Sequence, residues 1–372
     1  MHKISVDLAQ PGMIVGKPVL GGSGQILLNA GISIKPQHIF YIKQLGIGSI
    51  YIQDDRLTSV VIKDVISEQV RSESRALIAQ IMLDVDLPSP NNKGINVRDK
   101  AIVELVAKII EELIENKDLM VQLVDIRSKD DYLFAHSVNC AVLSTLMAVK
   151  LNFDSDSLKA MASGALLHDL GMIAVPQGVI NKAGELTNDE FDMVKQHPAY
   201  GYELFKQSSL FSPEAGAVIL HHHERNQGQG YPHGLKGNEL SKLAKIMIVA
   251  DIFDALTSDK PQRRAYQTHQ AVEMLMSWGG EIFDIEILRH FLSNIAAYPA
   301  GTHVMLNNGE SGLVVANTPG YALRPVVKIF YKGTDLSPHP RPYEIDLKAA
   351  LDLTISKVFE KANADDNQVF HN

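Results

Sequence analysis

The chain has 372 residues, 45% of them hydrophobic and 21% charged, with a net charge of −8, which is typical of a globular protein of two or three domains. The acidic balance argues against a duplex nucleic-acid binder, which needs a basic surface. The one cysteine, Cys140, excludes a disulfide framework and favours a reducing compartment. The first residues lack a signal-peptide pattern, and no run approaches about 18 uninterrupted apolar residues. We therefore expect a soluble, cytoplasmic protein that does not enter a membrane.

The first part of the chain mixes strand and helix patterns. Two short β-like runs lie on either side of a helical segment at 36–45, which predicts a small α+β module over residues 1–56. A helical pattern follows over 58–84. The stretch DLPSPNNKGINVRD after it, rich in proline, asparagine and glycine, predicts a linker. Residues 57–99 are thus predicted to form a connecting helix and a linker.

The central region, residues 100–297, is predicted to be all-helical, because apolar residues recur at helical spacing and strand-like alternation is nearly absent. Residues 298–372 differ, since Val- and Ile-rich runs between glycine-containing turns predict a small β appendage, followed by a polar tail. The expected fold class is mainly α, with a helical bundle between the two small modules. The helical patterns cover 102–114, 132–151, 158–170, 189–205 and 243–257.

Histidines concentrate in the helical region, where seven of the 14 lie between residues 136 and 233. Taken alone, His136, on the buried face of its helix, would be a core histidine satisfied by a carbonyl. His168 and Asp169 end the apolar run LKAMASGALLHDLGM, where an ionised aspartate is costly to bury unless it is paired or binds a cation. Both side chains reach one bimetallic centre only near a helix end, and Gly171 is well placed to end this helix.

Other polar side chains interrupt apolar helices in the same region. His197 precedes a proline that can start or break a helix, and His222 and His223 follow an apolar run at a predicted helix end. Asp251 interrupts a strongly apolar helix; Asp254 could share its role, although a structural role is favoured. Five histidines and two aspartates thus make a candidate ligand set of the kind that helical bundles assemble. A set rich in imidazole suits Fe, Mn, Zn or Ni better than Mg or Ca.

The motifs LLHDLG, HPAYG, HHHERNQGQGYPHGL and ADIFDALTS, in this order, resemble the HD-GYP domain, a group of HD metal-dependent phosphohydrolases, over about residues 125–291. The resemblance implies an HD-type helical bundle whose metal centre, often containing iron, hydrolyses cyclic di-GMP or a related cyclic dinucleotide. Tyr132 stands where trinuclear members carry a glutamate, so two divalent transition metals, Fe or Mn, are expected. The implied metal ligands are His136, His168, Asp169, His197, His222, His223 and Asp251.

The resemblance also implies roles for individual residues. Asp169 is expected to bridge the two metals and, with His168, to form the catalytic pair. The GYP loop that names the family is expected near the site, and two basic residues beyond it match positions that hold substrate phosphates. The implied substrate-binding residues are Gly230, Tyr231, Pro232, Lys260 and Arg263.

Three positions depart from the pattern of the family. Met172 replaces a lysine after HD-x-G, Gln227 replaces an aspartate before G-x-G-Y-P, and Gln262 replaces an aromatic residue. The ligands are intact while part of the polar surroundings is not. An alternative is therefore a weakly active or inactive module that binds a cyclic dinucleotide, or a partner such as a diguanylate cyclase, through its GYP loop. A third interpretation is a different HD phosphohydrolase, against which the GYP motif argues.

The flanking segments resemble parts that accompany HD-GYP domains. The first 56 residues resemble a module often found ahead of such domains, and the β appendage resembles one that often follows them. For both segments, a scaffold or dimerisation role is favoured over ligand sensing, and a second copy of the chain is therefore one expected partner. The other expected partners are a cyclic dinucleotide and a signalling protein such as a diguanylate cyclase.

Overall fold

The structure is a computed structural model in which the chain forms two compact units. Val65–Leu119 and Asp131–Leu292 form a helical unit, whereas Met1–Asp64, Met120–Asp130 and Ser293–Asn372 form a mixed unit. The segment from residue 65 to 84 thus belongs to the helical unit, and the four domain boundaries expected from the sequence stay a prediction. The residues described are 2–21, 25–53, 63–84, 99–122, 132–182, 184–208, 210, 212–258, 265–333 and 337–359.

The mixed unit contains two small antiparallel pairs and one larger sheet. Strand β1 pairs with β4 and β2 with β3, and the larger sheet has the order β8-β7-β6-β5-β9 with every pair antiparallel. Val15, Ile34, Ile50 and Ala300 share one buried core, so the segments before and after the helical region pack together. The elements are β1 (His2–Ser5), β2 (Val19–Leu20), β3 (Ile26–Leu28), α1 (Pro36–Gln44), β4 (Ser49–Ile52), β5 (His303–Leu306), β6 (Ser311–Ala316), β7 (Val326–Lys332), β8 (Ser337–Asp346) and β9 (Ile355–Val358).

The helical unit confirms the mainly α fold class. Side-chain caps begin several of its helices: Asp154, Ser212 and Ser241 each accept the backbone N–H of the residue three positions later, at 2.9, 3.1 and 3.1 Å. The helices are α2 (Glu68–Asp84), α3 (Asp99–Glu115), α4 (Tyr132–Lys150), α5 (Ser155–Leu166), α6 (Gln177–Ile180), α7 (Asn188–Val194), α8 (His197–Phe205), α9 (Pro213–His221), α10 (Lys242–Thr257), α11 (Thr268–Ser277) and α12 (Ile285–Leu292).

Helix α4 is the central helix of this unit. Within it, Leu133–Lys150 is long and apolar enough to cross a membrane by length and composition, but 83% of that stretch is buried inside the protein. Helix α4 packs against α5 and α10. Its composition is therefore explained by its place in the core, since a helix surrounded by others is apolar on every side.

Two local expectations from the sequence were wrong. The pattern over 189–205 predicts one helix, but the structure has two, α7 and α8, because Pro198 has no N–H with which to continue the preceding helix. Gly171 does not end α5, which stops at Leu166; it lies inside a 3-10 helix, Leu170–Ala174. A Cβ on Gly171 would lie 1.9 Å from the carbonyl oxygen of His197, so the glycine is required by close packing on α8.

Candidate metal centre

All seven predicted ligands lie in the helical unit, and the fold brings them together from five separate segments. Helix α4 provides one, the turn after α5 provides two, α8 provides one at its first residue, the turn after α9 provides two, and α10 provides one. Six of the seven are buried, and His223 is half-buried. In that order they are His136, His168 and Asp169, His197, His222 and His223, and Asp251.

The Asp169 carboxylate lies in the middle of this cluster. Its Oδ2 faces Nε2 of His168 at 3.4 Å and Nε2 of His136 at 3.9 Å. Its Oδ1 faces Nε2 of His197 at 3.3 Å and Nε2 of His222 at 3.9 Å. Each oxygen therefore faces its own pair of imidazoles, which is the arrangement that a carboxylate shared by two cations needs.

Asp251 is the second carboxylate of the cluster. Its Oδ1 lies 3.1 Å from Nε2 of His136, and its Oδ2 lies 3.7 Å from Nδ1 of His223. His223 in turn lies beside His222, with ring centroids 4.2 Å apart. Ligand atoms close enough to share a cation fall into groups around these residues. The groups are His136, Cys140, His168 and Asp251; His197, His222 and His223; and His168, Asp169 and His222.

Three of the imidazoles are oriented by the main chain. His168, His197 and His222 each bond through Nδ1 to the carbonyl oxygen three residues earlier, at 2.8, 2.7 and 2.6 Å. A carbonyl only accepts, so each Nδ1 must carry the hydrogen, and each Nε2 keeps its lone pair. All three Nε2 atoms therefore face the cluster as potential ligands.

The local sequence explains the orientation of His197. Pro198, the next residue, has no N–H to donate to the carbonyl of Val194, four residues earlier. That carbonyl accepts Nδ1–H of His197 instead, at 2.7 Å. The proline thus begins α8 and also leaves an acceptor that fixes the preceding histidine.

The contacts between the rings fit a bound cation. Nε2 of His197 and Nε2 of His222 are 3.0 Å apart, and both carry lone pairs, so no hydrogen lies between them. Two nitrogens that bind one cation at about 2.1 Å and at right angles are about 3.0 Å apart. Nε2 of His168 is buried and has no hydrogen-bond partner among the described residues. Metal ions bound in the cluster would satisfy all three atoms.

The protonation states also suit metal binding. Burial lowers the pKa of His168 and holds the pKa of His222 and His223 well below the usual range, so these imidazoles are neutral near pH 7. Burial alone would raise the pKa of the carboxyl groups, but at acid pH the charge and hydrogen bonds of the protonated imidazoles outweigh it. They hold the pKa of Asp169 well below its usual range and that of Asp251 at about 2. Neutral imidazoles and ionised carboxylates are the forms that bind metals.

His136 differs from the other rings because a side chain orients it. Its Nδ1 donates to Oδ2 of Asp254 at 2.7 Å, and its Nε2 faces the cluster. Asp254 is therefore a partner of a candidate ligand and lies outside the groups that could share a cation. Cys140 Sγ lies 3.7 Å from Nδ1 of His136, and burial raises the pKa of this thiol to about 12, which keeps it protonated.

The GYP loop forms one wall of the cluster. The Tyr231 ring stacks on His223, with centroids 4.7 Å apart and planes at 28°. Glu224, fully buried, holds the loop by accepting the backbone N–H groups of His233 at 2.8 Å and Leu235 at 3.0 Å. A Cβ on Gly230 would lie 2.3 Å from Cα of Glu224, so glycine is needed for this approach.

Two polar residues beside the cluster were not singled out from the sequence. Glu224 is one, and Arg225 is the other; its guanidinium donates to the Glu224 carbonyl at 2.8 Å, and burial lowers its pKa. Both follow the three histidines of the HHHER string. Their position next to predicted ligands is the sequence feature from which they could have been predicted to lie at the site. Of the predicted substrate-binding residues, Gly230, Tyr231 and Pro232 lie in the loop beside the cluster, whereas Lys260 and Arg263 lie outside the described residues.

The positions that depart from the family pattern are placed differently. Met172 is half-buried in the 3-10 helix, and its N–H donates to the carbonyl of Asp169 at 2.9 Å. The exposed Gln227 amide donates to the carbonyl of Gly280 at 3.3 Å. Gln262 and the side chain of Tyr132 lie outside the described part of the chain.

Comparison with known proteins identifies two segments. Residues 109–287 match the family model of the HD domain, and residues 303–367 match that of a KOW domain associated with HD domain. A cyclic di-GMP phosphodiesterase of Pseudomonas aeruginosa is 33% identical over 70% of this chain and 63% of its own length. The cyclic di-GMP phosphodiesterase response regulator RpfG of Xanthomonas campestris pv. campestris is 41% identical over 37% of each chain.

A third relative, the 3'3'-cGAMP-specific phosphodiesterase 3 of Vibrio cholerae, is 34% identical over 40% of this chain and 32% of its own length. The chain thus spans between about a third and two thirds of the length of these relatives. The HD domain match covers the segments that bring the histidines and aspartates together. Residues 109–287, which hold the cluster, thus carry an HD domain of the HD-GYP type.

Proposed function

We propose that this chain is a metal-dependent phosphodiesterase that opens a cyclic dinucleotide, cyclic di-GMP or a close relative of it, to a linear dinucleotide, with GMP as a further product. The observation that carries the proposal is the position of Asp169, whose two oxygens each face a pair of imidazoles at 3.3 to 3.9 Å. Relatives named as phosphodiesterases of cyclic di-GMP and of cGAMP support the substrate class.

The proposed cofactors are two divalent transition metals, Fe or Mn, because imidazole-rich sites favour such ions over Mg or Ca. Two such cations supply Lewis acidity toward a phosphoryl oxygen and lower the pKa of water. His197 and His222 would hold one through their Nε2 atoms, and His136 and His168 would hold the other. Asp169 would lie between the two.

The remaining roles belong to residues around the cluster. The Tyr231 ring, fixed against His223, offers a flat surface on which a base can stack. We propose that Lys260 and Arg263 offset the charge of the substrate phosphates. Glu224 keeps the loop closed on the cluster, which limits the water that reaches the reacting phosphate.

A second candidate function is a binding module without turnover. Gln227, which stands in place of an aspartate, directs its amide to the carbonyl of Gly280 rather than into the cluster. Such a module would bind a cyclic dinucleotide, or a diguanylate cyclase, through the loop that carries Tyr231. That partner, a homodimer and a cytoplasmic location stay predictions.

One experiment separates these functions. The purified chain, loaded anaerobically with Fe²⁺ or Mn²⁺, is offered cyclic di-GMP, 3'3'-cGAMP and a simple phosphodiester. Linear dinucleotide supports the proposed function, tight binding without product supports the binding module, and cleavage of the simple phosphodiester alone supports a different phosphohydrolase.

The histidine triplet provides a matched pair of variants for the same assay. His222→Ala should lose both metal and hydrolysis, and so should His168→Ala and Asp169→Ala. His221→Ala should retain both, since its ring lies beside His233 and outside the groups that could share a cation. Full metal content and activity in His222→Ala or Asp169→Ala would reject the site.

A further inference from the structure

Helix α2 places a charged side chain in the interior of the helical unit. Arg71, near the start of this helix, is only 6% exposed. A guanidinium cannot lose its charge near pH 7, so its burial is costly unless acceptors meet it. Arg71 also precedes residue 109, where the match to the HD domain begins.

A chain of buried hydrogen bonds leads from Arg71 to the metal centre. Its Nη1 donates to Oδ1 of Asn139 on α4 at 2.8 Å. Nδ2 of Asn139 donates to Oδ1 of Asp254 on α10 at 2.7 Å. Oδ2 of Asp254 accepts Nδ1–H of His136 at 2.7 Å and also lies 3.2 Å from the hydroxyl of Ser258. The chain of bonds thus joins three helices and ends on a candidate ligand.

The chemistry of the groups fixes the direction of every bond. A guanidinium only donates and a carboxylate only accepts, so the Asn139 amide has one orientation that satisfies both neighbours. Asp254 then requires a hydrogen on Nδ1 of His136. This leaves Nε2, which faces Asp251 and Asp169, as the nitrogen that a cation can bind. The hydrogen on Nδ1 of His136 is therefore linked to Arg71 through three hydrogen bonds.

We infer that Arg71 is a positioning residue of the metal centre, which acts through Asn139 and Asp254 to fix the tautomer and the direction of His136. The inference rests on the metal site of the proposed function. It makes helix α2 part of the functional unit, although α2 lies ahead of the residues that match the HD domain. Side chains that orient a ligand typically change metal affinity by about 10- to 100-fold when they are removed.

The test measures Mn²⁺ binding to the full chain, without any nucleotide. Arg71→Met keeps most of the buried stem and removes the donors, and we expect about tenfold weaker Mn²⁺ binding, the lower end of the usual range because Arg71 acts through two intermediates. Arg71→Lys restores a charged donor and should bind with intermediate affinity. The control is Ser74→Ala, since Ser74 is equally buried on α2 but its hydroxyl bonds to Val70 of the same helix at 2.6 Å.

A second measurement reports the tautomer of His136 directly. In metal-free protein with ¹⁵N-labelled histidine, the signals absent from His136→Ala identify this ring. The wild type and Ser74→Ala should show a hydrogen on Nδ1, and Arg71→Met should show it in only part of the molecules. A role limited to stability would not change this signal, and the wild-type spectrum alone is informative if Arg71→Met does not fold.

Two results would overturn the inference: Mn²⁺ binding by Arg71→Met that equals that of Ser74→Ala, or a wild-type His136 without a hydrogen on Nδ1. Failure of the proposed function has a different outcome. If the wild type binds Mn²⁺ but cleaves no cyclic dinucleotide, the phosphodiesterase function is rejected. The positioning role is retained in that case if Arg71→Met binds Mn²⁺ more weakly than the wild type.

Discussion

The contact between Gly171 and helix α8 gives a prediction that the structure makes quantitative. A Cβ on Gly171 would lie 1.9 Å from the His197 carbonyl oxygen and 2.6 Å from the backbone nitrogen of Gly201. Both are main-chain atoms, so no side-chain rotation relieves the overlap. Gly171→Ala must therefore push the turn that carries Asp169 away from α8. Overpacking of a tight core costs about 1–3 kcal/mol, and an overlap with rigid backbone belongs at the upper end.

Two further glycines make a graded series for this test. A Cβ on Gly201 would lie 3.2 Å from the nitrogen of Gly171, and a Cβ on the exposed Gly178 would meet nothing within 4 Å. We expect Gly178→Ala to leave the free energy of unfolding unchanged or raise it by up to about 1 kcal/mol. Gly201→Ala should lower it slightly, and Gly171→Ala should lower it by about 3 kcal/mol. Urea unfolding of metal-free protein measures all three.

The same series tests the geometry of the candidate metal centre. Nε2 of His197 lies 3.3 Å from Oδ1 of Asp169, and separation of the turn from α8 lengthens this distance. Mn²⁺ binding should therefore weaken strongly in Gly171→Ala and remain unchanged in Gly178→Ala. Equal unfolding midpoints and equal Mn²⁺ affinities for these two variants would show that the packing argument is wrong.

Three other outcomes are expected. In metal-free protein, burial lowers the pKa values of His168, His222 and His223, so these rings stay neutral while the unfolded chain takes up protons below about pH 6.5. The free energy of unfolding should therefore decrease as the pH falls below that point, by at most about 4 kcal/mol per pH unit for the three groups together. Flat stability from pH 8 to 5 would contradict this. Tyr231→Ala should raise KM about 3- to 10-fold at unchanged metal content, while Tyr231→Phe keeps the stacking. Mn²⁺ at 100 times its Kd should add about 2.7 kcal/mol to the free energy of unfolding, and a chelator should remove that gain.

The helices and the candidate ligands could be predicted from the sequence because both leave local signals. Apolar spacing marks helices such as α3 and α10, which begin and end within three residues of the expected bounds. Imidazoles in apolar surroundings, such as His168 and His222, are unusual enough to suggest a common cause. The mainly α fold class with a small C-terminal sheet was confirmed in the same way.

The partners of these side chains could not be predicted, because they depend on distant parts of the chain. Arg71 meets Asn139 across 68 positions, and Asn139 meets Asp254 across 115. The end of α5 was also missed. Apolar residues continue past Leu166 into a turn, and only the close approach of α8 explains why the chain tightens there.

The bonds from His168, His197 and His222 to carbonyl oxygens have an evolutionary consequence. Every residue possesses a carbonyl, so replacing a neighbouring side chain does not by itself remove these acceptors. Residues around the three rings can therefore be substituted while Nε2 of each ring still faces the cluster. His136 is more vulnerable, since its acceptor is a replaceable carboxylate. Replacement of Asp254 would therefore remove the acceptor of His136, whereas no side-chain replacement removes the acceptors of the other three rings.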